Sequence, residues 1–152
     1  MTAVHQEMKA LKKARVRKEL AELDYQRQLV LALVSKRMPQ REVADVLGLS
    51  QPSVSSALKT ARTVPMPREG SQSASPYEVC QRYAAGELTR EETMAQLVAW
   101  PYASAGDMRT SPGDDLMVWP QGTTQEVMEA EADGLIDSDM CEAVLDAVHG
   151  HA

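Results

Sequence analysis

The sequence predicts an all-α protein in two parts, and three observations carry that expectation. Residues 4–37 contain neither Gly nor Pro and are rich in Lys, Arg, Glu, Leu and Ala, the composition of one long helix or two nearly continuous ones. Ser75, Thr89, Thr123 and Asp137 each stand where a helix N-cap belongs, ahead of a short apolar-periodic run. The charge changes sign along the chain: residues 1–70 hold 13 Lys and Arg against 7 Asp and Glu, residues 71–152 hold 3 against 15, so +6 gives way to −12. The expected organisation is a basic helical domain over 1–64 with a long leading helix, a flexible linker over 65–75 and a small acidic module over 76–150 made of two αα-hairpins.

In the leading helix, Leu20, Leu23, Val30, Leu31 and Val34 recur near helical spacing and should pack on the helices that follow. Its first turns differ. Lys9, Lys12, Lys13, Arg15, Arg17 and Lys18 place six positive charges within ten residues, which suits an arm that touches phosphates and equally suits a solvated helix end.

The stretch "QREVADVLGLSQPSVSSALK", residues 40–59, holds two short helical patterns around one glycine. Val43, Val46 and Leu47 line one face of the first, and Ala44 is small enough for a second helix to cross close by. Gly48 supplies the positive φ of a tight turn, Leu49 tucks beneath it, and Ser50 caps the second helix. Pro52 falls in that helix's first turn, where a missing amide proton costs little. Val54, Ala57 and Leu58 face inward, which leaves a small, polar outer face.

This stretch resembles the helix-turn-helix proteins of bacterial and phage repressors and antitoxins. The family phrase is an alanine in the first helix, a glycine four residues later, an apolar residue after it and a branched apolar residue midway through the second helix; Ala44, Gly48, Leu49 and Val54 stand at those places. The resemblance covers 20 to 25 residues. It implies a recognition helix over about 50–61 in the major groove of double-stranded DNA, with Ser50, Gln51, Pro52, Ser55, Ser56 and Lys59 facing the groove and Lys59 and Arg62 suited to phosphates at the far end. Gln51 has the geometry for a bidentate contact with adenine. Gln40, Arg41, Lys36 and Arg37 are the implied backbone contacts. No Arg stands among the central reading positions, which directs specificity partly to DNA shape or to the basic arm.

Between the halves, "TVPMPREGSQSASP" carries three prolines and three serines with no apolar period, and Pro65 and Pro67 stop the preceding helix. Ser75 with Glu78 and Pro76 opens "PYEVCQRYAA", closed by Gly86; Thr89 with Glu92 opens "REETMAQLVAW", stopped by Pro101. Thr123 with Glu126 opens "TQEVMEAEAD", closed by Gly134, and Asp137 caps "SDMCEAVLDAV". The two pairs align at an offset of 48 residues: Val79 with Val127, Ala84 with Ala132, Gly86 with Gly134, Leu88 with Ile136 and Leu97 with Leu145. That pattern reads as a duplicated αα-hairpin or as shared helix grammar. Each copy is too small to bury a core alone, so the two should pack together, with Trp100 and Trp119 nearby.

No run approaches the roughly 18 apolar residues of a membrane span, and the basic N-terminus lacks a signal peptide's apolar core, so the expectation is a cytoplasmic protein of the bacterial nucleoid or a phage-infected host. Cys80 and Cys141, without CxxC spacing, read as free buried thiols. No His lies between His5 and His149, which removes the usual base of a nucleophilic dyad, and His149 with His151 read as a disordered end. Asp114, Asp115 and the Glu126, Glu129, Glu131, Asp133 series read as solvated carboxylates rather than metal ligands. The sequence implies no enzyme, cofactor or metal. Two functions remain: a transcriptional repressor, or an antitoxin that represses its own operon and covers a basic toxin with its acidic half. In either case a protein partner, a toxin or a second copy in a homodimer, would meet residues 76–150.

Overall fold

The computed structural model describes residues 2–103 and 122–150, and the secondary structure of those residues is all helical. The chain divides into two compact units, Met1–Met66 and Pro67–Ala152. Trp119, Asp114, Asp115 and His151 lie outside the described residues.

The first unit begins with α1, Ala3–Val30, which runs without a break into a π-helical turn at Leu31–Ser35. The i→i−5 bond of that turn is Lys36 N–H to Leu31 O, 2.9 Å, and Arg37 ends it in the left-handed region at φ 52°. Two short helices follow, α2 at Gln40–Leu47 and α3 at Gln51–Ala61, and α3 packs on both α1 and α2. The core is small: Leu29, Val43, Ala44, Val54 and Ala61, with Val30, Leu33 and Ala57 against it.

Two details of the expected core are corrected. Leu31 and Val34 are exposed and Leu33 is partly buried, because the wider π turn shifts the phase of the side chains beyond Val30, and Leu29, ahead of that turn, is buried in the core. In α2, Val43 and Ala44 face the core, but Val46 is 81% exposed and Leu47 and Leu49 are open to solvent; α1 and α3 cover only one side of so short a helix.

The second unit holds four helices: α4 Pro76–Ala84, α5 Arg90–Ala99, α6 Gln125–Ala132 and α7 Ser138–Val148. Helix α4 packs on α5 and α6, and α7 on α5 and α6. Residues 48 apart make the same bonds. Glu87 N–H to Arg82 O matches Leu135 N–H to Ala130 O, both 2.9 Å, and Thr93 N–H to Thr89 O, 3.0 Å, matches Cys141 N–H to Asp137 O, 3.1 Å. Gly86 and Gly134 take φ 86° and 74° at equivalent turns. Ala74 N–H bonds the Glu78 carboxylate as Gly122 N–H bonds that of Glu126. Val79 and Val127 are both fully buried, so each copy contributes the same wall to one shared core.

The helix starts differ in how they are capped. Thr89 and Glu92 form the full reciprocal box, and Asp137 caps Met140 N–H at 2.8 Å. Ser75 accepts from Glu78 N–H, but the Glu78 side chain bonds Ala74 and Arg82 instead of returning to the cap. Thr123 is no cap at all: α6 starts at Gln125 behind Thr124, and Thr123 is buried. The Pro- and Ser-rich stretch also differs from a free linker, since Ser73 is buried, Arg68 N–H bonds Ser73 O and the Arg68 guanidinium lies 5.4 Å from the Trp100 ring centroid.

Candidate nucleic-acid interface

The geometry of residues 36–62 follows from three local constraints. Pro39 in extended conformation precedes α2 and starts it cleanly. At its other end Gly48, φ 67° and ψ 29°, turns the chain in the left-handed region, where Leu49 N–H reaches back to Ala44 O at 3.0 Å. Ser50 then stands extended at the start of α3, and its Oγ accepts Ser53 N–H at 3.2 Å. Only two residues separate the left-handed turn from α3, so the direction of the second helix is fixed by the first.

Burial of α3 then sets its outer face. Val54 and Ala61 are fully buried and Leu58 nearly so. Gln51, Pro52, Ser55, Ser56 and Lys59 are all exposed, as is Arg62 beyond the end of the helix, and Arg41, Lys36 and Arg37 are exposed around it. Gln40 is half-buried. The outer face is short, polar and without carboxylates. Residues 36–62 carry five Lys and Arg against Glu42 and Asp45, a local +3. Ser50 is the exception among the groove-facing candidates, because its hydroxyl is engaged as the cap and lies 2.8 Å from Ser53 Oγ.

The arm residues Lys9, Lys12, Lys13, Arg15, Arg17 and Lys18 are exposed on α1, with Arg15 Nε bonded to Glu19 at 3.2 Å. Arg15, Arg17 and Lys18 flank the buried Val16, whereas Lys9, Lys12 and Lys13 precede every buried residue of α1.

Sequence reasoning missed Arg27. It is 5% exposed, and its Nε donates to Pro65 O at 3.0 Å, so a buried guanidinium ties α1 to the segment that leaves α3. The signal was present: Val16, Leu20, Leu23, Arg27 and Val30 follow a single 4-3 spacing, with Arg27 the one charged member. In the second unit Arg82 is likewise buried, and it bonds Glu78 at 3.0 Å and Glu87 at 2.7 Å. This joins α4 to the turn after it and leaves α4 with no spare charge there. Burial, helped by the neighbouring Cys141 and Glu126, pushes the Cys80 thiol up to about 12, and burial raises Cys141 to about 11. Both are free thiols held protonated, the opposite of what a nucleophile needs. Among the described residues no group of three or more His, Cys, Asp or Glu is placed to hold a metal, and no helix is long and apolar enough to cross a membrane.

Comparison with known proteins gives no match, whether to a protein family, to a curated protein or to a solved structure.

Proposed function

We propose that this chain is a sequence-specific double-stranded DNA-binding protein of the helix-turn-helix type, acting as a transcriptional repressor. The observation that carries the reading is the outer face of α3, where small and polar side chains without any carboxylate stand over an apolar inner face, on a helix whose direction the Gly48 turn fixes. Such a face fits the major groove sterically, and short side chains let the helix approach the base edges. Gln51, in the first turn of α3, is the base-reading residue; Ser55 and Ser56 contact bases or phosphates; Lys59, Arg62, Arg41, Lys36 and Arg37 hold the backbone. Ser50 acts by positioning α3 through its cap.

The test is selection of bound fragments from random and genomic DNA by the full chain, repeated with Gln51→Ala. A defined motif is expected, with discrimination at one base pair reduced by about 1–3 kcal/mol in the variant. Recovery of random DNA only would remove the reading, and uniform loss across all sequences would remove the base contact at Gln51.

A second reading, an antitoxin, draws on the acidic second unit. Glu91, Glu129, Asp139, Glu142 and Asp146 are exposed on three of its four helices, a surface that suits a basic protein. Co-purification of a small basic protein encoded beside this gene would favour it.

A further inference from the structure

From Thr2 to Arg15 every residue of the chain is exposed, including Val4 at 67%, Met8 at 65% and Leu11 at 73%. These three stand at i, i+4 and i+7, the anchor spacing of a helix that lies in a groove. A projecting helix of about thirteen residues is marginal alone in water, and an apolar seam along it costs further solvation. The same unit carries an open apolar groove of about 260 Å³, lined by Tyr25, Leu29, Ala32, Met38, Val46 and Leu47 among others. The arm cannot reach its own groove: α1 is one uninterrupted helix without Gly or Pro, and Leu11 and Tyr25 lie fourteen residues apart along it, about 21 Å at 1.5 Å per residue.

We infer that the groove receives the α1 arm of a second copy of this chain, the two α1 helices running antiparallel about a two-fold axis near Lys18. Charge complementarity sets the register. The seam continues along α1 with the same 4-3 spacing through Arg15, Lys18 and Glu22 to Tyr25, roughly 140° around the helix from the Val16, Leu20, Leu23, Arg27 and Val30 stripe, and ends at Leu29, a core residue that also forms part of the groove wall. When Met8 is set opposite the partner's Leu29, Leu11 falls opposite the partner's Tyr25 and Arg15 opposite the partner's Glu22. Each apolar end then meets an apolar end and each cation an anion, twice by symmetry. The like-charged pair of Lys18 residues at the axis is the one unfavourable contact. Lys9, Lys13 and Arg17 point away from the seam and stay outside the pair. This inference stands independently of the DNA-binding reading.

The test is the mass of the full chain in solution by sedimentation equilibrium over a wide range of concentrations. A dimer is expected, and both Leu11→Glu and Val46→Glu, at side chains exposed in the single chain, should give monomers with native helical content by circular dichroism. Mixing these two variants should recover dimer, because one of the two arm–groove contacts is then intact. Arg15→Glu and Glu22→Arg should each weaken the dimer and in combination restore it, and Lys18→Leu should tighten it by at least about tenfold, the result of burying two leucines where two ammonium groups met. A single-chain mass for the native protein at every concentration overturns the inference. So does a dimer that Leu11→Glu and Val46→Glu leave untouched, since that dimer forms through another face.

Discussion

At Gly48 the conformational demand and the available space can be separated. A Cβ built there would meet nothing within 4 Å, yet the residue sits at φ 67°. The cost of a side chain is therefore backbone strain alone. Gly48→Ala should destabilise the first unit by about 1 kcal/mol, and Gly48→Val, β-branched, by about 2 kcal/mol or more. Thermal unfolding of the two variants checks this, and equal melting temperatures for Val and native Gly would show that the turn is not held as described. Arg37 presents the converse case, a bulky residue kept at φ 52° where glycine is the usual choice. A strained arginine at the edge of the candidate interface is what a phosphate contact would maintain against the strain. Buried Arg27 belongs with it as a residue whose charge hides its role, since its aliphatic stem fills a core position and its head bonds the backbone at Pro65.

At the scale of the element, α1 presents a basic side and an apolar seam on different faces. Lys9, Lys13 and Arg17, spaced by four, share a side away from the Val4, Met8 and Leu11 seam, so their charges can be removed without touching it. If all three contact phosphates, replacing them together with Gln should reduce the slope of log affinity against log salt by about 2.7, at about 0.9 per contact, while the mass of the native assembly stays unchanged. An unchanged slope assigns those charges to solvent. Helices α4 to α7 make a prediction through Cys80. Its thiol is raised in the folded chain, so the unfolded chain loses this proton first as pH climbs. The associated stability is fully present below the unfolded thiol value, near 9, and falls progressively toward about 12. Unfolding of Cys80→Ala measured at alkaline pH should show a smaller loss than the native chain, and parallel loss in both would place the alkaline sensitivity elsewhere.

How far these elements were legible depends on the kind of signal. Gly48, Ser50, Thr89 and Asp137 could be read because turns and caps are local, each requiring only a few consecutive residues. Val46, Leu47 and Leu49 misled because apolar spacing shows which residues share a face but not whether a second element covers it. Arg27 and Arg82 escaped because a charged side chain counts as surface until its partners, here Pro65 O, Glu78 and Glu87, are known. The π turn at 31–35 has no sequence mark, and its phase shift turned Leu31 and Val34 outward and Leu33 inward. At the candidate interface, the exposed face of α3 could be read from the inward Val54 and Leu58, whereas the capping duty of Ser50 limits it as a DNA contact.

At the scale of the whole molecule, the charge imbalance makes a claim that neither unit makes alone. Residues 1–70 carry +6 and residues 71–152 carry −12, covalently joined and therefore at high effective concentration whatever their arrangement. A polyanion approaching the basic unit meets the field of both, and the acidic unit lowers its local concentration. Residues 1–68 alone should then bind non-specific DNA more tightly at low salt than the full chain does. The difference should shrink as salt rises, because the Debye length falls from about 30 Å at 0.01 M to about 8 Å at 0.15 M and the acidic unit is progressively screened. Titration of fluorescent DNA with the two forms across that salt range measures the difference directly. The sign of the effect is decisive: if removing residues 69–152 weakens non-specific binding at low salt, the second unit contributes contacts to DNA through surfaces other than its carboxylates, and repulsion between like charges does not govern how this chain meets nucleic acid.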